Sequence, residues 1–333
     1  MNDIDSALTA ANLRPLSKYL NDPATFEVRV NKFGQVVSDT VNGRILHDDP
    51  AITEDYLHGL TNYLLHLNGL SFAPINYVKL PDGSRGTFCW PPAVVDGIAL
   101  ACIRKHLPVT KTLEELQTEG RFERAKHRTF ADQLRLEPFE EEMLELLQAG
   151  DLVRFMRRAV QTKRNIAVSG PTGSGKTTFT RSLLLEVPRT ERVILMEDVH
   201  EVTATNQDEI GYMLYGETDD GRVSARDCLK ACMRLSPDRI FMTELRDDAA
   251  WDYLASANTG HPGGIFSTHA ESAQTTPARI ATLVKASKIG AMLDHEVIMK
   301  TIMTTLDVVV YMEKRDIVDV LYDPLAKKKA LYA

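Results

Sequence analysis

Ile166-Ala-Val-Ser-Gly170-Pro-Thr-Gly-Ser-Gly175-Lys176-Thr177 stands at the centre of this 333-residue chain. A short apolar run, 166–169, predicts a strand, and a helix is predicted over 177–186. The turn between them fits the pattern G-x-x-x-x-G-K-[ST], in the order strand, turn, helix that the pattern requires. The stretch therefore predicts a loop that holds the phosphates of a nucleotide.

The chemistry of phosphate binding explains each residue type in this loop. Its glycines permit positive φ and close backbone approach, so that successive N–H groups can point at a β-phosphate. The helix adds its N-terminal N–H groups and the positive end of its dipole. Lys176 is expected to reach the β- and γ-phosphates of ATP, and the Thr177 hydroxyl to coordinate Mg²⁺. A turn that only starts a helix would explain the glycines but not the Lys-Thr pair. The predicted binding set is Gly170, Pro171, Thr172, Gly173, Ser174, Gly175, Lys176, Thr177 and Thr178.

From Asn165 onward, apolar strands alternate with helices. Such alternation predicts a mainly parallel sheet that is covered on both faces. The predicted strands are 166–169, 192–196, 239–243 and 265–268, and the predicted helices are 176–186, 224–235, 247–258 and 277–288.

Carboxylates follow two of these strands, at the sheet edge where ligands bind in parallel sheets. Glu244 ends the strand that begins at Arg239 and is the Walker B candidate, expected to hold Mg²⁺ together with Thr177. Glu201 is the second catalytic candidate. Glu197 and Asp198 are as well explained as ordinary loop residues.

A histidine ends a third strand. His269 can sense the loss of a γ-phosphate through a hydrogen bond, and we count it with the catalytic candidates. His261 stands in Thr259-Gly-His-Pro-Gly263 and can be explained by the shape of that turn alone.

The first half has a different pattern. Short alternating segments at 25–30, 35–37, 75–80 and 87–90, separated by turns, predict an α+β module, with a helix over 53–67. Residues 110–164 are charge-rich and helical in pattern, as in a linker with packing helices. Their basic run, 121–128, is typical of a solvated helix face, the alternative being contact with nucleic acid or an anionic lipid surface.

Composition limits the class of protein. Length predicts about two domains. Hydrophobic residues make up 44% and charged residues 26%, which excludes disordered, collagen-like and disulfide-scaffold chains. The formal charge of −7 gives the surface no overall basic excess for nucleic acid.

The sequence also predicts a cytoplasmic protein. Asp3 and Asp5 have the wrong sign for an export signal, and no apolar run is long enough to span a bilayer. The four cysteines form no C-x-x-C pair, which favours a reducing compartment. Cys228 and Cys232, at i and i+4, are interpreted as apolar core residues.

Four boxes in the second half follow one another in a fixed order. They are 170–177, Ile194-Leu-Met-Glu-Asp198 with Glu201, Leu235-Ser-Pro-Asp-Arg-Ile-Phe-Met-Thr-Glu-Leu-Arg246, and Thr259-Gly-His-Pro-Gly with Ser267-Thr-His-Ala270. Together they resemble the traffic ATPases of secretion systems, in particular the hexameric, VirB11-like ATPases of type IV secretion and conjugation. Gly83-Ser-Arg85-Gly-Thr-Phe-Cys-Trp and Ala99-Leu-Ala-Cys-Ile-Arg104 are similar to the family's N-terminal pattern.

The resemblance implies an N-terminal α+β domain (1–130), a linker (131–150) and a RecA-like P-loop ATPase domain (151–333). It implies that Arg85 and Arg104 reach the phosphates, with ATP between the two domains of one subunit. A homohexamer at the cytoplasmic face of the inner membrane is expected, with other secretion ATPases, inner-membrane components and a substrate protein or nucleoprotein as partners.

Three other functions stay open at this point. A pilus-retraction or type II secretion ATPase is the near alternative, although the tetracysteine zinc module frequent in those relatives is missing, which favours the type IV branch. One residue departs from the family's pattern: Thr243, just before the Walker B candidate, stands where the family often has glycine. Outside the family, the alternatives are a RecA-like nucleic-acid motor and a nucleotide-gated scaffold.

Overall fold

A computed structural model of the chain describes residues 3–106, 110–127, 129, 134–258 and 260–332, apart from the side chains of 3–7, 247 and 248. Two sheets organise the described residues. The first has six strands in the order β3-β2-β1-β6-β5-β4, all antiparallel. Its elements are α1 (Asp3–Leu20), β1 (Thr25–Val30), β2 (Gln35–Thr40), β3 (Gly43–Asp48), α2 (Glu54–Leu67), β4 (Ile75–Lys79), β5 (Arg85–Cys89) and β6 (Leu100–Arg104).

Helices α1 and α2 supply the apolar core of this first domain. Leu16 from α1 and Leu57 and Leu64 from α2 pack with Phe88 of β5 and with Trp90, just after that strand. The helix predicted over 53–67 is confirmed, with Thr53 as the N-cap that accepts a hydrogen bond from the backbone. The sequence missed β3 because its residues are mostly exposed and lack the alternation of a half-buried strand.

The second sheet has seven strands in the order β13-β12-β7-β11-β10-β8-β9. All neighbours are parallel except β12 and β13, which form a hairpin, so the mainly parallel sheet is confirmed. Two apolar clusters cover its faces. Its elements and those before it are α3 (Leu113–Thr118), α4 (Pro138–Gln148), α5 (Leu152–Gln161), β7 (Ile166–Ser169), α6 (Lys176–Leu185), β8 (Val193–Glu197), β9 (Ile210–Leu214), α7 (Ala225–Cys232), β10 (Arg239–Met242), α8 (Asp247–Asn258), β11 (Ile265–Thr268), α9 (Thr276–Ala286), α10 (His295–Thr305), β12 (Val308–Glu313), β13 (Asp316–Tyr322) and α11 (Pro324–Tyr332).

The segment between the domains is partly packed. Helix α4 buries Met143 and Leu146 against one face of the second sheet, so the predicted linker 131–150 includes a helix of that core. Arg128 and residues 130–133, which carry part of the basic run and the predicted domain boundary, lie outside the described residues. The described part of the basic run forms exposed turns instead of the predicted helix, because Gly120 at φ +72° ends α3.

The two domains share a buried ionic contact. Arg29 of β1 is fully buried and forms two hydrogen bonds of 2.9 Å with Glu209, which precedes β9. Burial alone would raise the pKa of Glu209, but the hydrogen bond from Arg29 and the charges of Arg29 and Arg192 hold that pKa below its ordinary value. Removing Glu209 would leave Arg29 buried with Glu27 and Asp39 as its remaining partners, and removing Arg29 would leave buried carboxylates without their shared cation, so the contact helps to hold the domains together.

Two further features of the fold are the burial of the cysteines and the length of the helices. All four cysteines are buried, as predicted for Cys228 and Cys232, and burial raises the pKa of the Cys232 thiol well above its ordinary value. Within the residues that the structure describes, no helix has both the length and the apolar character needed to cross a membrane.

Candidate active site

The predicted phosphate loop connects β7 to α6. Gly173 and Gly175 have φ values of +75° and +91°, in the left-handed region that favours glycine. Gly170 faces a tighter constraint, because a Cβ there would lie 2.2 Å from the carbonyl oxygen of Met312 and 2.8 Å from Ser174 Oγ. The conformation of the turn therefore favours glycine at positions 173 and 175, and close packing against β12 requires it at position 170.

Lys176 lies across the mouth of the loop. Its Nζ donates hydrogen bonds of 2.9 Å to the carbonyl oxygens of Gly170 and Pro171. Burial lowers the pKa of Lys176, and the nearby charge of Glu244 opposes that effect. The ammonium is thus held over the loop, with a carboxylate of the neighbouring strand near enough to influence it.

The loop's polar groups fit a phosphate. The hydroxyl of Ser174 is buried and has no hydrogen-bond partner among the described residues. Thr177 is half-buried and Thr178 exposed in the first turn of α6, where backbone N–H groups lack partners within the helix. An oxyanion in the loop would satisfy these donors, and a cation beside it would find the Thr177 hydroxyl.

Glu244, which follows β10, and His269, which follows β11, lie together beside the loop. Nε2 of His269 is 3.7 Å from Glu244 Oε1, and its Nδ1 is 3.2 Å from the carbonyl oxygen of Gly170. With the proton on Nδ1, the ring donates to that carbonyl. Arg246 Nη2 lies 2.7 Å from Asp198 Oδ2 and 3.4 Å from Glu244 Oε2.

The acidic residues at the end of β8 and just after it have different surroundings. Glu197 is fully buried, and its carboxylate accepts hydrogen bonds from the backbone N–H groups of Glu201 and Val202 and contacts His200 Nδ1 at 2.8 Å. It therefore holds the loop that follows. Glu201 is exposed, and its carbonyl oxygen accepts a hydrogen bond from Arg181.

Arg85 and Arg104 do not approach the phosphate loop of their own chain, contrary to the expectation of a site between the two domains of one subunit. They are register partners on β5 and β6. Arg104 donates to Glu27 at 2.9 Å and to Ser236 Oγ at 2.5 Å. Ser236 precedes β10, whereas Glu244 follows it, so Arg104 lies at the opposite end of the parallel sheet from the loop. The physical reason is the packing of the domains, to which the Arg29–Glu209 contact contributes.

Two residues that support the site could not be predicted from the sequence. The hydroxyl of Tyr215 donates to the carbonyl oxygen of Glu244 at 3.0 Å, and the hydroxyl of Ser267 donates to that of Thr243. Both hold the backbone that presents the Walker B candidate. Tyr215 follows β9, the strand at the far edge, and nothing in its local sequence signals this contact.

The comparisons with known proteins agree with one another. The profile of the family described as "Type II/IV secretion system protein" matches residues 134–316. The type IV secretion system protein VirB11 of Brucella suis biovar 1 is 34% identical over 331 residues, which covers 95% of this chain and 91% of the relative. Protein VirB11 of Agrobacterium fabrum is 31% identical over 304 residues, with 90% and 87% covered. The crystal structure of the VirB11 ATPase from the Brucella suis type IV secretion system in complex with sulphate superposes with a TM-score of 0.92 at 33% identity, covering 99% of this chain and 98% of that one.

Proposed function

The chain belongs to the VirB11 family of type IV secretion system ATPases, and we propose that it hydrolyses ATP with Mg²⁺ in a homohexameric ring. The ring would work at the cytoplasmic face of the inner membrane, with other secretion-system ATPases and inner-membrane components as partners. Its output would be translocation of a protein or nucleoprotein substrate, or pilus assembly. One observation carries the enzymatic part: Lys176, Glu244 and His269 meet at the phosphate loop.

The phosphate loop would bind ATP by exchanging its internal contacts. The Lys176 ammonium would leave the two loop carbonyls for the β- and γ-phosphates, and the buried Ser174 hydroxyl would gain a partner. Mg²⁺, when bound, neutralises charge that develops on the phosphates, and the Thr177 hydroxyl and the Glu244 carboxylate are the groups that would hold it.

Glu244 and His269 would have different roles in hydrolysis. The Glu244 carboxylate, kept in place by Arg246 and by the backbone contacts beneath it, would orient the attacking water. The single N–H of a neutral His269 ring would donate to the γ-phosphate from Nε2 while the phosphate is present, and to the carbonyl oxygen of Gly170 from Nδ1 once it has left. Glu201, exposed on the loop after β8, would assist in placing the water.

Arg85 and Arg104 would act on the nucleotide of a neighbouring subunit. Half of the Arg104 side chain, 52%, is exposed, so another chain can reach it. The proposed ring would bring one subunit's N-terminal domain to the next subunit's phosphate loop, and an arginine supplied in this way can raise the hydrolysis rate by about 10³–10⁵. The arrangement would couple hydrolysis in one subunit to the position of its neighbour.

Steady-state ATPase assays test the proposal. Wild-type protein is expected to hydrolyse ATP with Mg²⁺, and Lys176→Ala to lose this activity while keeping its thermal unfolding midpoint. Light scattering coupled to size-exclusion chromatography would report the hexamer. No ATP turnover by well-folded wild-type protein would favour the scaffold alternative, and turnover that needs DNA would favour a nucleic-acid motor.

A further inference from the structure

The hairpin β12–β13 ends in an unusual turn. Glu313 pairs with Asp316, which leaves Lys314 and Arg315 as a two-residue loop. Both have positive φ, +49° and +74°. Hairpin turns of this kind strongly prefer Asn and Gly, because other side chains are strained in the left-handed region. Lys and Arg are therefore unfavourable residues for this turn. Backbone strain of this kind persists at positions where the side chain has a further function.

The turn lies against the phosphate loop. Strand β12 runs parallel to β7, with Tyr311 beside Ser169, so both strands end at the same edge. A Cβ on Gly175 would lie 3.5 Å from Arg315 Cα and 3.7 Å from Arg315 Cβ. The close approach of the Met312 carbonyl to Gly170 fixes the other end of the same contact. The backbone of the turn is therefore held next to the start of α6.

The two cations of the turn differ in their surroundings. Lys314 is 87% exposed and makes a loose ion pair of 3.8 Å with Glu313. Arg315 is exposed, and its guanidinium has no hydrogen bond or ion pair within the described ranges of the chain. Arg315 thus has its Cα and Cβ next to Gly175, on the β12 side of the loop, and its unpaired guanidinium is free to reach a phosphate held there.

We propose that Arg315 binds the α-phosphate of the bound nucleotide, an inference that rests on the proposed ATPase function. Glu244 and His269 lie on the β10 and β11 side of the loop, so the γ-phosphate must face that side for hydrolysis. The remainder of the nucleotide then extends toward β12 and the Lys314-Arg315 turn. Guanidinium groups suit phosphate oxygens, and one at this position supports ADP and ATP equally.

Equilibrium titration with ADP and with a non-hydrolysable ATP analogue tests the proposal. Arg315→Ala is expected to weaken both nucleotides by about ten-fold, since a charge-assisted hydrogen bond is lost. KM for ATP should rise by the same factor while kcat stays within about two-fold, because the contact is equal in the ground and transition states. Lys314→Ala, in the same turn, is the matched control and should bind as wild type does.

Arg315→Gly separates binding from backbone strain. Glycine relieves the positive φ, so the thermal midpoint of this variant should rise, whereas its ADP affinity should fall as in Arg315→Ala. Wild-type ADP affinity in both Arg315 variants would overturn the inference and leave the ATPase function intact. Failure of the wild-type protein itself to bind ADP would overturn both.

Discussion

Nε2 of His269 lies 3.7 Å from the carboxylate of Glu244, and Nδ1 of the same ring lies 3.2 Å from the carbonyl oxygen of Gly170. One imidazole therefore joins the end of β10, the end of β11 and the first residue of the phosphate loop. Under the proposed function, a movement of this ring on loss of a γ-phosphate would displace both the end of β10 and the phosphate loop.

Glu244→Gln is expected to bind ATP but to turn over about 10²–10⁴ times more slowly, because the amide cannot act as a base or orient the water as a carboxylate does. Glu201→Gln should lose less, since Glu244 lies 3.7 Å from His269 beside the phosphate loop, whereas Glu201 is exposed on the loop after β8. Measured kcat and nucleotide affinity for both variants check this order. A larger loss in Glu201→Gln would exchange the two roles.

Mixing Arg104→Ala subunits with Lys176→Ala subunits is expected to restore ATPase activity. Arg104 lies at the far end of the sheet from its own phosphate loop, so in the proposed ring an active site would combine the loop of one chain with the arginine of another. In mixed rings, an Arg104→Ala loop can meet an intact arginine from a Lys176→Ala neighbour. Mixtures that stay as inactive as either variant alone would mean that both groups act within one chain.

Glu209→Gln is expected to lower the free energy of unfolding by about 3 kcal/mol at pH 7, because Arg29 loses a buried partner. The folded pKa of Glu209 lies below its ordinary value of 4.5, so the pair stabilises the protein above that pH. This stability is lost as the pH falls through the folded pKa. Urea unfolding of wild type and variant at pH 7 and at pH 3 should therefore show a smaller difference at pH 3.

Asn165→Ala is expected to destabilise the second domain by about 3 kcal/mol. The buried side chain accepts hydrogen bonds of 3.0 Å from the N–H groups of Gly263 and Gly264 and donates one of 2.9 Å to the Thr305 carbonyl. Alanine leaves the two N–H groups without this partner, and the Thr305 carbonyl oxygen keeps its 3.2 Å hydrogen bond from Lys327 Nζ. Asn62→Ala, which removes an exposed contact with His58, is the control and should change stability by less than about 0.5 kcal/mol. Similar values for the two variants would contradict this account.

The second domain could be predicted well from the sequence. Its phosphate loop is a local motif, and the positions of the other site residues follow from one rule about parallel strands. The phosphate loop is a continuous stretch in which each glycine and the Lys-Thr pair have their own reason. Glu244 and His269 are far apart along the chain, yet both follow parallel strands, and parallel strands end at one edge. That rule was enough to predict that they meet.

Other parts of the site had no such signal. Tyr215 supports Glu244 from a distant strand, and Arg315 reaches the loop only because β12 pairs with β7. Both relationships depend on strand order, which the apolar pattern of single strands does not encode.

The phosphate loop, the parallel sheet and the acids and histidine at its edge can thus be predicted from the amino-acid order alone, since short-range chemistry and strand periodicity specify them. The place of Arg104 becomes known only from the folded chain. Its position follows from how the domains pack, through contacts such as Arg29 with Glu209 that join residues 180 positions apart. No local pattern records such a pairing, because its free energy exists only once both domains are folded and in contact.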